Sequence, residues 1–380
     1  MVHSPPPDRN GHDARPQLAA VDGLRGVAIG LVVSYHVLAS VLTPQTLSVS
    51  LLGLPFTLSP LLTNGWTGVN LFFVLSGFVL FLPYAQGSRS MATLANRLAF
   101  YRRRAWRLLP LFYVAAPAVW LLAPGGAHRD PLELLRVLTL SFPFDASSFG
   151  PSFLPPLWSL GVEIVFSAMF PVLVLLAARI GMTRLVLLAL GVALAMRCVG
   201  IARLPLVQGP SFNSDMILCR IDDFVLGMAL AQAWAAERLP KRTTLCAGLG
   251  LASVAVAWMG FDLVLRGVWP PLARAFLNDV LDAGIIAVAA AALAPAGGVH
   301  RALCWGPLRH AGRMSYSVYL WHLPLLWLLV PDRLLLPAPT FALKIALYLG
   351  ATAAAAALSY RFIEFPGMAG WCRLAGIAPK

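Results

Sequence analysis

Charge is scarce in this sequence. Only 12% of its 380 residues are Asp, Glu, Lys or Arg and 59% are hydrophobic, whereas a soluble domain carries about 25% charged residues. That balance excludes an ordinary water-soluble globule and marks an integral membrane protein. Cysteine is also sparse: Cys198, Cys219, Cys246, Cys304 and Cys372 stand apart, with neither C-x-x-C nor His pairing at metal-ligand spacing. They are expected as buried free thiols, with no metal site. Glycine patterns of the Walker or Rossmann kind are missing. Long hydrophilic insertions are missing too, so no second, soluble domain is expected. The opening "MVHSPPPDRNGHDARPQ" is polar and proline-rich, without the apolar core of a cleavable signal peptide. Residues 1–17 are therefore expected as a disordered cytoplasmic tail, 18–366 as one membrane domain, and 367–380 as a short cytoplasmic tail.

Apolar runs fill the rest. They cover Leu18 to Leu42, Trp66 to Tyr84, Leu108 to Ala123, Leu157 to Ala178, Leu185 to Arg203, Ile217 to Ala236, Leu245 to Leu265, Phe276 to Ala294, Tyr316 to Val330 and Phe341 to Phe362. Each approaches the roughly 20 residues a spanning helix needs. The alternating pattern of a membrane β-barrel is absent. The expected fold is all-α: a polytopic helical bundle of about ten transmembrane helices. Leu47 to Leu62 and Leu132 to Pro143 are too broken to span and are expected as re-entrant or interfacial pieces.

A net charge of +13 invites a nucleic-acid reading, but the basic residues follow topology. Arg89, Arg97, Arg102, Arg103, Arg104 and Arg107 crowd one link, and Arg179, Arg184, Arg238, Lys241, Arg242, Arg301, Arg309 and Arg313 mark later alternate links. The Thr43 to Asn64 loop carries no charge. The positive-inside rule then places both termini in the cytoplasm. No nucleic-acid partner is expected; the lipid bilayer is.

Charges inside an apolar run are costly, roughly 2.5 to 3.5 kcal/mol each on insertion scales, and persist mainly where something uses them. Arg25 and His36 share the first run. Eleven helical steps turn through about 1100°, close to a whole number of turns, and rise about 16 Å. The two therefore share a face, with Arg25 at the cytoplasmic mouth and His36 near mid-bilayer. Arg104 and Arg107 fall at i, i+3 on another helix, with Arg102 and Arg103 beside them. Such guanidinium forks suit phosphate groups, which arginine grips bidentately. Glu163 sits a turn inside an apolar helix and needs a partner, either an arginine or a histidine it would orient. "CRIDDFVLGMALA", "GRMSYSVYLWHLPLL" and "SYRFIEFPG" bury further polar groups and are expected as packing and charge-pairing devices.

Five stretches, "VDGLRGVAIGLVVSYH", "GVNLFFVLSGFVL", "YRRRAWRLLPLFY", "WSLGVEIVFSAMFP" and "SYSVYLWH", resemble in order and spacing the bacterial acyltransferase family 3. Those are membrane-bound O-acyltransferases of sugars and glycosides. The resemblance runs over nearly the whole chain. It implies that Arg25 and His36 are required for transfer, that Arg104 and Arg107 are the family's R-x-x-R pair, and that Glu163 is its W-S-L-x-x-E glutamate. One departure is Asn70, where the family often has Asp. The resemblance also implies an acyl-CoA donor from the cytosol, acetyl-CoA foremost, used as a substrate rather than held permanently as a cofactor. Its phosphates would meet Arg102, Arg103, Arg104 and Arg107, with His36 and Arg25 catalytic and Glu163 a partner for either.

The acceptor would be a sugar hydroxyl of a surface glycan, a lipid-linked glycan or a glycosylated metabolite such as a macrolide. The location would be the bacterial cytoplasmic membrane, and 26 Arg against 3 Lys fits GC-rich bacterial coding. Assembly into a homo-oligomer stays open. A proton-coupled transporter is the competing class, since buried Arg, His and Glu also build ion relays. Against it, the sequence shows no internal repeat.

Overall fold

The computed structural model describes residues 16–38, 48–51, 54–57, 60, 64–122, 130–203, 211–294, 297–330 and 338–365. Most of both expected tails, and Cys372, lie outside them. Helix α1 already begins at Pro16, inside the expected N-terminal tail. The other long helices are α2 (Gly68–Ala85), α3 (Leu94–Leu122), α5 (Leu157–Ile180), α6 (Met182–Arg203), α8 (Ile217–Ala235), α9 (Thr243–Leu265), α10 (Ala273–Leu293), α13 (Ser315–Leu329) and α14 (Ala338–Ser359), with α1 running Pro16–Leu38. Short helices α4 (Pro131–Leu138), α7 (Phe212–Asp215), α11 (Gly298–Leu303) and α12 (Gly306–Arg313) join them.

The chain is an all-α multi-pass membrane bundle. Eight helices among the described residues are long and apolar enough to cross a bilayer. The expected count of about ten also took in α8, which carries Arg220, Asp222 and Asp223, and α13, which has 15 residues. Between α1 and α2, strands β1 (Ser48–Leu51) and β2 (Leu54–Thr57) pair antiparallel, with Ser48 opposite Thr57 and Leu51 opposite Leu54. Part of the broken run from Leu47 to Leu62 is thus a hairpin. Its Pro55 sits in the two-stranded ribbon, where a missing N–H is tolerated on an edge. Cys198, Cys219, Cys246 and Cys304 are free thiols, but only Cys219 is buried as expected, the other three being partly exposed, and Cys304 Sγ lies 3.5 Å from His300 Nε2.

Lipid-facing helices gain little from hydrophobicity against one another, so close backbone approach at small residues does much of the packing. Helices α2 and α8 cross in this way. A Cβ on Gly77 would run into the carbonyl oxygen of Phe224, and one on Gly227 into that of Val74. Gly227→Val should therefore destabilise the bundle by about 1–3 kcal/mol, read as a lowered melting temperature of the purified protein. Gly191→Val, at a position with open space around it, is the control expected to change nothing.

The charges of α8 are consumed in a buried network. Arg197 of α6 pairs with Asp222 and, at 2.7 Å, with Asp279 of α10. Arg220 pairs with Asp215 at 2.5 Å and donates to Asn278 Oδ1 at 2.9 Å. Asn70 of α2 donates from its amide to Asp223 Oδ1 and Asp282 Oδ1, at 3.1 and 3.2 Å. An unprotonated aspartate at position 70 has no hydrogen to give. The amide suits this position because both of its neighbours are carboxylates. The network ties α2, α6, α8 and α10 together. Asp222, Asp279 and Asp282 converge closely enough to suggest a cation site, but Arg197 already bonds to two of the three.

Candidate active site

Helix α1 is held by glycine contacts on its back. Gly26 meets the Leu308 carbonyl and Gly312 of α12 meets the Asp22 carbonyl so closely that a Cβ would clash at either. The side chains of Arg25 and His36 are left on the flank that meets α13. The shared face expected from the spacing is present.

Arg25 opens into a cavity containing about 700 Å³ of unfilled space, part of it open to the outside. Arg104 and Arg107 of α3, Ser159 and Glu163 of α5, Ser315, Tyr316 and Tyr319 of α13 and Ser76 of α2 complete its polar lining. Three guanidiniums thus face one cavity against one carboxylate. Among the described residues no hydrogen bond or ion pair holds the Arg25 guanidinium, whereas its two neighbours are fixed. Arg104 pairs with Glu163 and donates from Nε to Ser167 Oγ at 3.1 Å. Arg107 pairs with Glu364 and lies 5.6 Å from the centre of the Tyr316 ring.

The partner of Arg107 comes from a segment far along the chain, and nothing in the sequence announces that pairing. Glu364 is carried by a π turn, Tyr360–Glu364, that continues α14. Such turns recur at functional sites. The Glu364 carboxylate also accepts from Ser317 Oγ at 2.7 Å, which ties α3, α13 and the end of α14 at one point.

The structure separates the residues that the sequence grouped together. Of the two partners open to Glu163, an arginine or a histidine, the structure has an arginine, Arg104, and Glu163 lines the same cavity as Arg25. Arg102 is exposed and Arg103 is hydrogen-bonded to Tyr84, so neither lines the cavity. Arg104 and Arg107 reach the cavity; Arg102 falls on the far side of the helix from Arg104, whereas Arg103 shares the face of Arg107 at i, i+4 but sits one turn earlier, where it bonds to Tyr84. His36 lies in the last turn of the described part of α1, two residues before Leu38. It is not part of the cavity wall. Tyr319, which is, lies one turn from His322, and their rings are 5.6 Å apart.

His36 and His322 meet across the helix seam. Their ring centres are 4.9 Å apart at 65°, and His322 Nε2 lies 3.4 Å from His36 Nδ1. His36 Nδ1 is also 2.9 Å from the Val32 carbonyl oxygen. A carbonyl only accepts, so Nδ1 of His36 carries the hydrogen. In the neutral ring Nε2 then holds the lone pair, the tautomer a general base requires. Beside them, Tyr319 Oη donates to the Pro156 carbonyl at 2.9 Å and lies 2.6 Å from Ser159 Oγ. Sequence reasoning misses Ser76, because a lone serine in an apolar helix gives no signal. It takes the residues of "SYSVYLWH" for packing, although their i, i+3 steps from Tyr316 to Tyr319 to His322 are the available clue.

A family model described as an acyltransferase domain matches residues 18–361. The chain belongs to this family. It is 27% identical over 376 residues to the peptidoglycan O-acetyltransferase OatA of Listeria monocytogenes, an alignment covering 93% of this chain and 56% of that protein. With the O-acetyltransferase OatA of Staphylococcus aureus it shares 24% over 369 residues, 92% of this chain and 57% of the other. With the acyltransferase MdmB of Streptomyces mycarofaciens it shares 29% over 279 residues, 68% of each. The chain spans a little over half the length of the O-acetyltransferases it matches. No solved structure matches the chain.

Proposed function

We propose that this chain is a membrane O-acyltransferase that moves an acyl group, acetyl foremost, from acyl-CoA on the cytosolic side to a sugar hydroxyl. The observation that carries the reading is the cavity with three inward guanidiniums and one carboxylate, of which Arg25 alone has no fixed partner among the described residues. Positive charge in excess at a membrane-protein mouth suits the phosphates of a CoA nucleotide, and Arg25 is placed to hold the donor or polarise its thioester. The thin pantetheine arm then follows the cavity past Tyr316 and Tyr319 toward His36.

At His36 the acceptor hydroxyl gives its proton to Nε2 as its oxygen bonds to the thioester carbonyl carbon. The C–S bond breaks, and the CoA thiolate takes the proton back from the imidazolium. A base within reach of such a hydroxyl accelerates its attack by roughly a hundred- to ten-thousandfold. The name of one relative, peptidoglycan O-acetyltransferase, supports a glycan acceptor. The multi-pass bundle supports a site in the cytoplasmic membrane, where a cytosolic donor and a lipid-linked or surface glycan can both be reached.

The test is release of free CoA thiol by purified protein supplied with acetyl-CoA and a panel of glycosides. Thiol release that depends on one acceptor class, with matching ester formation, is expected. No release against the whole panel, together with dissipation of a solute gradient in vesicles, would overturn the proposal in favour of a transporter.

A further inference from the structure

We infer that His322 is a positioning residue for His36: it holds the His36 ring in the tautomer and orientation that present Nε2 to the acceptor. The inference rests on the reading of His36 as the base and goes beyond it by naming what prepares that base.

The argument begins with His322 itself, which is fully buried. Its Nδ1 lies 2.7 Å from the Tyr319 carbonyl oxygen, three residues back on α13. Only an N–H can bond there, so Nε2 of the neutral ring is an acceptor. That acceptor faces His36 Nδ1 at 3.4 Å. The His36 N–H is therefore shared between the Val32 carbonyl and a second acceptor from another helix. The Val32 bond alone would follow any motion of α1, since it is internal to that helix. The His322 contact fixes the ring relative to α13, the helix whose Tyr316 and Tyr319 line the donor cavity.

The surroundings strengthen the assignment. Val33 and Val37 of α1 pack with Leu323 and Leu326 of α13 around this contact. Each imidazole bonds a carbonyl of its own helix, and the groups that helix cannot satisfy, the second share of the His36 N–H and the buried His322 Nε2 lone pair, meet each other across the seam. The chain of bonds, from the Tyr319 carbonyl through His322 to His36, is the arrangement by which an outer partner sets a histidine's tautomer.

The test compares three substitutions in the full-length protein under an acetyl-transfer assay. His322→Leu removes the acceptor and should lower kcat about 10- to 100-fold, the range typical for outer partners that orient histidines, with KM for acetyl-CoA unchanged. His322→Gln keeps an acceptor oxygen at similar reach and should recover most of the lost kcat. His322→Asn carries the same amide one methylene shorter and should not. The Gln and Asn pair keeps the comparison valid if the Leu variant folds poorly. In a His36→Gln background, His322→Leu should cause no further loss, because its effect passes through His36.

Equal loss in the Gln and Asn variants, an unchanged kcat in all three, or independent losses in the double variant would overturn the inference. The reading of His36 fails separately, when His36→Gln alone keeps wild-type turnover.

Discussion

Replacing His36 by Gln is expected to lower acyl transfer by two to four orders of magnitude while leaving acyl-CoA binding intact. Gln has nearly the size of His and still donates a hydrogen bond, so contact with the Val32 carbonyl can persist. It has no nitrogen lone pair able to take a proton at neutral pH. The loss is the one expected for removal of a general base. The measurements are transfer rate and acetyl-CoA affinity on the same preparation. A variant that transfers near the wild-type rate would return His36 to a structural role, and one that no longer binds acetyl-CoA would move it to the donor site.

The second large effect belongs to Arg104 and Arg107. Charge-assisted phosphate contacts are worth roughly 1.5 to 3 kcal/mol each, so Arg104→Ala with Arg107→Ala should weaken acetyl-CoA binding by about two orders of magnitude or more. Lys at both positions should restore part of this, since it supplies the charge without the planar fork. The ion pairs add a discriminating control. Glu163 and Glu364 hold the two guanidiniums and would compete with a bound phosphate for them, so Glu163→Gln should tighten donor binding. Unchanged donor affinity in the double alanine variant, with the protein still monodisperse, would leave these arginines as structural partners of the two glutamates. That result would also detach the donor site from this mouth of the cavity.

The periodic features are the ones legible in the sequence. Ten apolar runs correspond to the ten long helices among the described residues. The spacings of Arg25 to His36 and of Arg104 to Arg107 translate into shared faces, because a helix converts sequence separation directly into angle. Partner choice is not legible. Glu163 and Arg104 are separated by 59 positions, and Arg107 and Glu364 by 257; periodicity says which way a side chain points but not which helix stands opposite. Arg102 and Arg103 look equivalent to their neighbours as a run of charge; the turn of α3 carries Arg102 away from Arg104, and Arg103 is taken up by Tyr84. Asn70 looks like a lost charge and is an amide between two carboxylates, Asp223 and Asp282, from different helices. His322 stands in a recognised motif, yet its role depends on meeting His36 across 286 residues.

The central claim is that the acyl donor enters at the mouth formed by Arg25, Arg104 and Arg107 and reacts near His36. It is tested most directly in proteoliposomes of uniform orientation, with acceptor on both faces and isotope-labelled acetyl-CoA, which does not cross lipid, on one face at a time. Labelled ester should form only when the donor is on the face that carries the Arg89 to Arg97 link, and Arg104→Ala with Arg107→Ala should suppress it there. Ester formed equally well from either face, or only from the opposite one, would contradict the account.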